Sequence, residues 1–345
     1  MKPSIYGYRL SEWQDYLASI GQPKFRAVQI YHWLFQNRAD SLQAMSDLPM
    51  LMRQSLDASM QFTSLQEVTR QVSKDGTIKF LFRLPDQATI ETVIMRHDYG
   101  NSVCVSTQVG CKMGCKFCAS TLGGLVRNVT AGEMVEQVMM CQRLLDREGE
   151  RVSSVVLMGS GEPLENYEEA MRFIDIITDQ EGLKIGQRHI TVSTVGLVPA
   201  IYRLADEMRG ITLAVSLHAA DDETRSKMMP VNRAYDILSL LEACKYYFDK
   251  TGRRITFEYA LINGHNDKVE DARKLAALLR TIPCHVNLIP VNYVPERNLT
   301  RTPQDQIREF ADELERQHIN ATVRREKGSD IAAACGQLRA QHGAE

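Results

Sequence analysis

From residue 102 onward the chain repeats one pattern, a short apolar run followed by an amphipathic helical stretch. That repeat restricts the fold more than any other feature. The apolar runs are "SVCVST" (102–107), "VSSVVLM" (152–158), "HITVST" (189–194), "ITLAVSLH" (211–218), "RITFEYALI" (254–262), "HVNLIPV" (285–291) and "NATVRR" (320–325). Most are nearly continuous in apolar residues, as in strands covered on both faces. Between them lie stretches such as "TAGEMVEQVMMCQRLLDREG", where Thr130 and Glu133 have capping-box spacing. Met134, Val135, Val138, Met139 and Leu145 share one broad face of that helix. Strand and helix in alternation predict an α/β fold built on a parallel sheet. No GxGxxG or GxxxxGKS/T opens a helix, so a mononucleotide-binding fold lacks its signature and a full or partial β/α barrel fits better.

The polar groups reinforce this reading by their position. A cysteine-rich loop follows "VCVST"; "GSGEP" (159–163) follows "VVLM"; "STVG", "SLHA" and "PVN" close three later strands. In a β/α barrel the C-terminal strand ends form one mouth where ligands bind, so these groups are expected to converge on one site.

Residues 1–95 read differently. "SEWQDYLASI", "KFRAVQIYHWLFQNR" and "SLQAMSDLPMLMRQSLDAS" carry helical spacing, and "TIKFLFRL" and "ATIETVIMR" read as paired strands around "PDQ". The expected division is therefore a helical module with a connecting hairpin over 1–95 and a main domain over 96–345. The 345 residues, 44% of them apolar, suffice for a large core. No apolar run reaches the about 18 residues of a membrane span, and "MKPSIYGYRLSEWQ" has no apolar signal core, so a cytoplasmic protein is expected. The formal charge of −2 gives no global steering toward nucleic acid, and an RNA partner would need a local basic surface.

Eight cysteines are too few for a disulfide scaffold in a chain of this length. Three of them, Cys111, Cys115 and Cys118, stand in "GCKMGCKFC" with spacing C-x3-C-x2-C. Structural zinc takes four ligands, so a zinc site would need a distant fourth; three packed thiols are a second reading. An iron–sulfur cluster is the third. A 4Fe–4S cluster takes one thiolate per iron, and three thiolates leave one iron open to a ligand.

The motif C-x3-C-x2-C with Phe117 before its last cysteine resembles the radical S-adenosylmethionine (SAM) superfamily. The likeness continues through "CVSTQVGCKMGCKFCASTLGGLVRNVTAGEMVEQV", "MGSGEPLENY", "STVGLVPAI", "SLHA", "VNLIPVNYVPERN" and "RREKGSDIAAACGQLRA". Together these resemble the RNA adenine-C2 methyltransferases of the RlmN family and, more distantly, their C8-methylating relative Cfr. The resemblance implies a partial (β/α) barrel of the radical SAM type with an N-terminal helical accessory domain. It implies a 4Fe–4S cluster on Cys111, Cys115 and Cys118, and SAM held by Gly161, Glu162, Ser193, Ser216, His218 and Asn292, two SAM being used per turnover.

The same resemblance gives roles to residues that local sequence would leave unremarked. Adenine C2 is no nucleophile and cannot attack a sulfonium methyl directly. The family's route methylates Cys335, makes a carbon radical on that methyl, adds it to C2, and resolves the adduct by attack of Cys104 on the sulfur of Cys335. Glu91 matches the family's proton acceptor. The Cys104–Cys335 disulfide formed at release would be transient, as suits a reducing compartment. The implied partners are 23S rRNA in its peptidyl-transferase region, tRNA at adenosine 37, and an electron-donor protein such as flavodoxin, with the enzyme a monomer. Lys24, Arg26, Arg127, Arg225, Lys227, Arg233, Arg324, Arg325 and Lys327 are candidate phosphate contacts. The alternatives are a C8-specific methyltransferase and a non-enzymatic iron–sulfur RNA-binding protein.

Overall fold

The computed structural model describes residues 2–291, 299–325, 327–328 and 330–331. Its strands are β1 (Gln66–Val72), β2 (Ile78–Arg83), β3 (Thr89–His97), β4 (Gly100–Cys104), β5 (Gln108–Gly110), β6 (Leu125–Asn128), β7 (Val152–Leu157), β8 (Ile190–Thr194), β9 (Thr212–Ser216), β10 (Ile255–Leu261), β11 (Cys284–Pro290) and β12 (Ala321–Val323). Helices α1 (Leu10–Ser19), α2 (Arg26–Tyr31) and α3 (Met50–Ser59) precede the sheet. The later helices are α4 (Ala131–Asp146), α5 (Tyr167–Thr178), α6 (Val198–Asp206), α7 (Asp222–Met228), α8 (Ile237–Thr251), α9 (Val269–Leu279) and α10 (Gln304–Arg316).

Ten strands form one sheet in the order β1-β2-β3-β4-β7-β8-β9-β10-β11-β12. From β4 to β12 every pairing is parallel, and these strands are the apolar runs of the sequence. The sheet has two ends, so the barrel is partial and open. Its outward face packs under the helices: Ile190, Val192, Leu213, Val215, Phe257, Tyr259, Val286 and Leu288 are fully buried. The alternate residues Thr191, Ser193, Ser216, Asn287 and Ile289 are only partly buried, because the inward face of the sheet borders a cavity rather than a second helical layer. α4 begins as its sequence promised, with the Thr130 hydroxyl accepting from Glu133 N and the Glu133 carboxylate accepting from Thr130 N.

The expected hairpin is longer than its sequence suggested. β2 and β3 pair antiparallel as read, but β1 adds to one side and β3 pairs with β4 on the other, so the hairpin extends the main sheet. Position 95 thus falls within β3. β1, "QEVTRQV", escaped notice because it is an edge strand with no well-buried position and no apolar alternation.

A buried carboxylate ties the first residues to the barrel. Glu136 of α4 accepts from Ser4 Oγ at 2.7 Å, Ser64 N at 2.7 Å, Ser64 Oγ at 2.7 Å and Leu65 N at 3.1 Å. Burial raises its pKa against these hydrogen bonds. Glu136→Ala strands these part-buried and buried donors, and is expected to cost about 3 kcal/mol in urea unfolding. Unchanged stability would show that this clamp contributes nothing.

Candidate active site

The cysteine loop is lifted over the strand ends by the β5–β6 hairpin. Cys111 N donates to Gly124 O at 2.9 Å, and a Cβ on Gly110 (φ +77°) would meet Gly124 O at 1.9 Å, so only glycine closes the loop. Beyond it the chain turns on its own carbonyls. Thr121 Oγ1 donates to Cys115 O at 3.1 Å and Cys118 O at 2.9 Å, and Lys116 N donates to Met228 O at 2.9 Å. Cys111, Cys115 and Cys118 all line one cavity of about 370 Å³. Burial pushes the Cys111 thiol up to about 11 and the Cys115 thiol up to about 12, with neighbouring cysteines adding to the effect. Among the described residues no three potential ligands converge as one metal ion requires. A cluster that takes each thiolate on a different iron does not ask them to converge.

The same cavity gathers the strand-end residues. Gly161 has φ +109°, and a Cβ there would lie 2.6 Å from Gln108 Cβ and 2.7 Å from Gln108 N. Gln108 Oε1 accepts from Glu162 N at 2.9 Å, so close backbone approach at Gly161 sets where Glu162 stands. The Glu162 carboxylate accepts from Leu164 N at 3.0 Å and Val195 N at 2.8 Å, joining the loop after β7 to the loop after β8. Burial raises this carboxyl to about 7 despite both hydrogen bonds. The Thr194 hydroxyl also donates to it, so one of its four lone-pair sites remains for a further donor.

Ser193 and Ser216 line the cavity from β8 and β9. His218, at φ +56°, accepts from Ala260 N on Nδ1 at 2.9 Å, which leaves the proton on Nε2. Burial, with the charge of Arg225 second, holds its pKa down at about 3, so the ring is neutral. It packs edge-to-face with Phe117, with ring centroids 4.8 Å apart.

Cys104 ends β4, opposite Val93 and Val156 of the flanking strands, and it too lines the cavity. Glu91 is set back from the cavity lining. Its carboxylate lies 3.0 Å from Lys79 Nζ, and both side chains are buried. Asn292 and Cys335 lie outside the described residues.

Two residues of the site were not singled out in the sequence for the roles they hold. Glu258 lines the cavity in one register row with Ser216 and Asn287, and Asn287 Nδ2 donates to it at 2.8 Å. Its signal was a carboxylate inside the apolar run "RITFEYALI". Arg225 was grouped with the phosphate contacts, and burial excludes that role: the side chain is fully enclosed. It donates to Leu217 O, Val195 O, Ser216 O, Tyr235 O and Asn232 Oδ1.

Two segments of the chain match described families. Residues 105–276 match the Radical SAM superfamily, and residues 4–61 match the Ribosomal RNA large subunit methyltransferase N-terminal domain. Over 340 residues the chain is 60% identical to a Staphylococcus haemolyticus protein named "Probable dual-specificity RNA methyltransferase RlmN", covering 99% of this chain and 93% of that one. A Staphylococcus aureus protein of the same name is 59% identical with the same coverage. The crystal structure of a radical SAM methyltransferase from Sphaerobacter thermophilus superposes with a TM-score of 0.94 at 47% identity, covering 97% of this chain and 98% of that one.

The superfamily implies a 4Fe–4S cluster and SAM, and the residues here fit both: three thiols around one cavity, with a carboxylate, hydroxyls and an imidazole N–H beside them. Gly161→Ala should displace Gln108 and with it Glu162. Weakening of SAM affinity by about tenfold or more is expected in equilibrium dialysis, since forced backbone strain costs about 1–3 kcal/mol. Wild-type affinity in a variant with normal circular dichroism would show that the close approach is not needed.

Proposed function

The chain belongs to the RlmN family within the radical SAM superfamily, and we propose that it methylates C2 of adenosine in 23S rRNA and at position 37 of tRNA, through a methyl group carried on Cys335. The observation that carries this reading is the meeting of Cys104 with the three-cysteine loop and with Glu162, Ser193, Ser216 and His218 around one cavity. When bound, the cluster supplies the electron that splits the C5′–S bond of SAM.

The chain's own residues then divide the work. Glu162 accepts from the ammonium of SAM, and the hydroxyls of Ser193 and Ser216 and the Nε2–H of His218 orient the remainder. Asn292 completes this set. Cys335 would take its methyl group from one SAM and lose a hydrogen atom from that methyl to the radical made from a second, two SAM per turnover. Glu91 takes the C2 proton, with Lys79 holding its carboxylate in place. Cys104 attacks the sulfur of Cys335 and releases the RNA, leaving a disulfide that must be reduced before another round; an electron-donor protein such as flavodoxin would serve the cluster.

The described segment that leads toward Cys335 is tied to a turn that borders the cavity. Gly328 N donates to Asp75 Oδ2 at 3.0 Å, and Asp330 accepts from Ser73 Oγ and Lys74 N, so the segment after β12 is tied to the β1–β2 turn. Thr77 of that turn lines the cavity with Cys104. Cys335 follows Ile331 by four positions, a span of at most about 14 Å.

Timing separates the two thiols. Cys335→Ala should abolish methylation with no RNA adduct. Cys104→Ala should still load the methyl group and add it to C2, then stall as a stable protein–RNA crosslink. Denaturing gels with labelled RNA, followed by peptide mapping, read both variants. An adduct at Cys104, or wild-type turnover by Cys104→Ala, would falsify the assignment.

A further inference from the structure

β3 carries the cavity wall outward to solvent. Val93 and Met95 line the cavity, and alternation along the strand puts Glu91, Val93, Met95 and His97 on one face. Glu91 is enclosed, whereas Val93, Met95 and His97 are half-buried, and His97 lies about 7 Å beyond Met95. His97 pairs with Gly100 across the tight turn Asp98-Tyr99. The rings of His97 and Tyr99 stack, with centroids 4.7 Å apart and planes 5° from parallel. Tyr99 is 78% exposed, so burial in the core does not account for its ring.

Two cations act on His97 of this pair. Arg324, Arg325 and Lys327 follow β12 and line the same cavity. Burial first, then the charges of Lys327 and Arg324, hold the His97 imidazole below its ordinary pKa, while Asp98 acts in the opposite sense. Both cations thus act on the imidazole. A stacked ring pair whose outer ring is exposed and whose inner ring feels nearby cations matches a single nucleic-acid strand, whose bases stack on aromatic rings and whose phosphates seek positive charge. An apolar protein interface would instead surround the rings with apolar side chains.

We infer that His97 and Tyr99 form a stacking platform for a nucleobase neighbouring the target adenosine, with Arg324, Arg325 and Lys327 holding the intervening phosphate. This rests on the reading of the chain as an RNA methyltransferase. The platform gives Tyr99 a role in substrate positioning, outside the reacting groups.

The test uses the cluster-loaded, full-length enzyme and a short RNA hairpin that presents the target adenosine. Tyr99→Ala should raise both the Kd and the KM for RNA by about tenfold, while kcat changes little. Tyr99→Phe keeps the ring and should stay within about twofold of wild type. Cleavage of SAM by dithionite without RNA should be unchanged in both variants. If wild-type enzyme methylates the hairpin and Tyr99→Ala binds it equally well, the platform is wrong and the RNA reading survives. If wild-type enzyme neither binds nor methylates RNA, both fall. Slower reduction by a flavoprotein donor with unchanged RNA affinity would make this face a protein dock and overturn the proposal.

Discussion

A buried guanidinium holds the mouth of the barrel in shape. Arg225 is fully enclosed, and its hydrogen-bond partners are four backbone carbonyls and the side-chain oxygen of Asn232. Those carbonyls belong to the ends of the paired strands β8 and β9 and to the loop before α8, so the guanidinium joins the strand ends to that loop. Burying a charge is costly unless every donor is satisfied, and a planar guanidinium has five N–H groups to satisfy. Lysine could not replace it, because three donors on a point charge cannot span five oxygens. Burial depresses its pKa only to about 10, so it remains charged at neutral pH. Gly196, at φ +101°, leaves room for it: a Cβ there would lie 3.3 Å from Arg225 Nη2.

The chemistry of the site inherits this geometry. Val195 lends its carbonyl to Arg225 and its N–H to Glu162, so one residue links the buried cation to the buried carboxylate. Ser216 and Leu217 give Arg225 their carbonyls just before His218, whose ring is then fixed by Ala260 N–H. The positive charge also faces the cysteine loop, where it opposes the effect of burial on Cys115. A loop that gathers thiolates gains from a cation beneath it, and apolar packing could not supply one.

Much of this was legible in the sequence, for identifiable reasons. The seven parallel strands announced themselves because a sheet covered by helices needs long apolar runs, and the capping box of α4 is a local signal. Strand-end motifs pointed to one mouth because the fold puts all C-terminal ends on one side. Arg225 was misread because a basic residue in "DETRSKM" looks like a solvated face. Its burial comes from carbonyls brought from residues 195, 216, 217 and 235, which no local window contains. Glu258 was passed over because its row with Ser216 and Asn287 appears only once three strands are in register. Lys79 was hidden for the same reason: its partner Glu91 lies across the β2–β3 pair.

The central claim, that this arrangement serves methylation of adenosine at C2, is tested most directly in the modified nucleosides themselves. Total rRNA and tRNA from a strain lacking the gene, and from the same strain carrying it back, would be digested and resolved by liquid chromatography and mass spectrometry. The expected result is loss of 2-methyladenosine from both RNAs in the deletion and its return with the wild-type chain. Appearance of 8-methyladenosine with the restored chain, or 2-methyladenosine unchanged by the deletion, would contradict it.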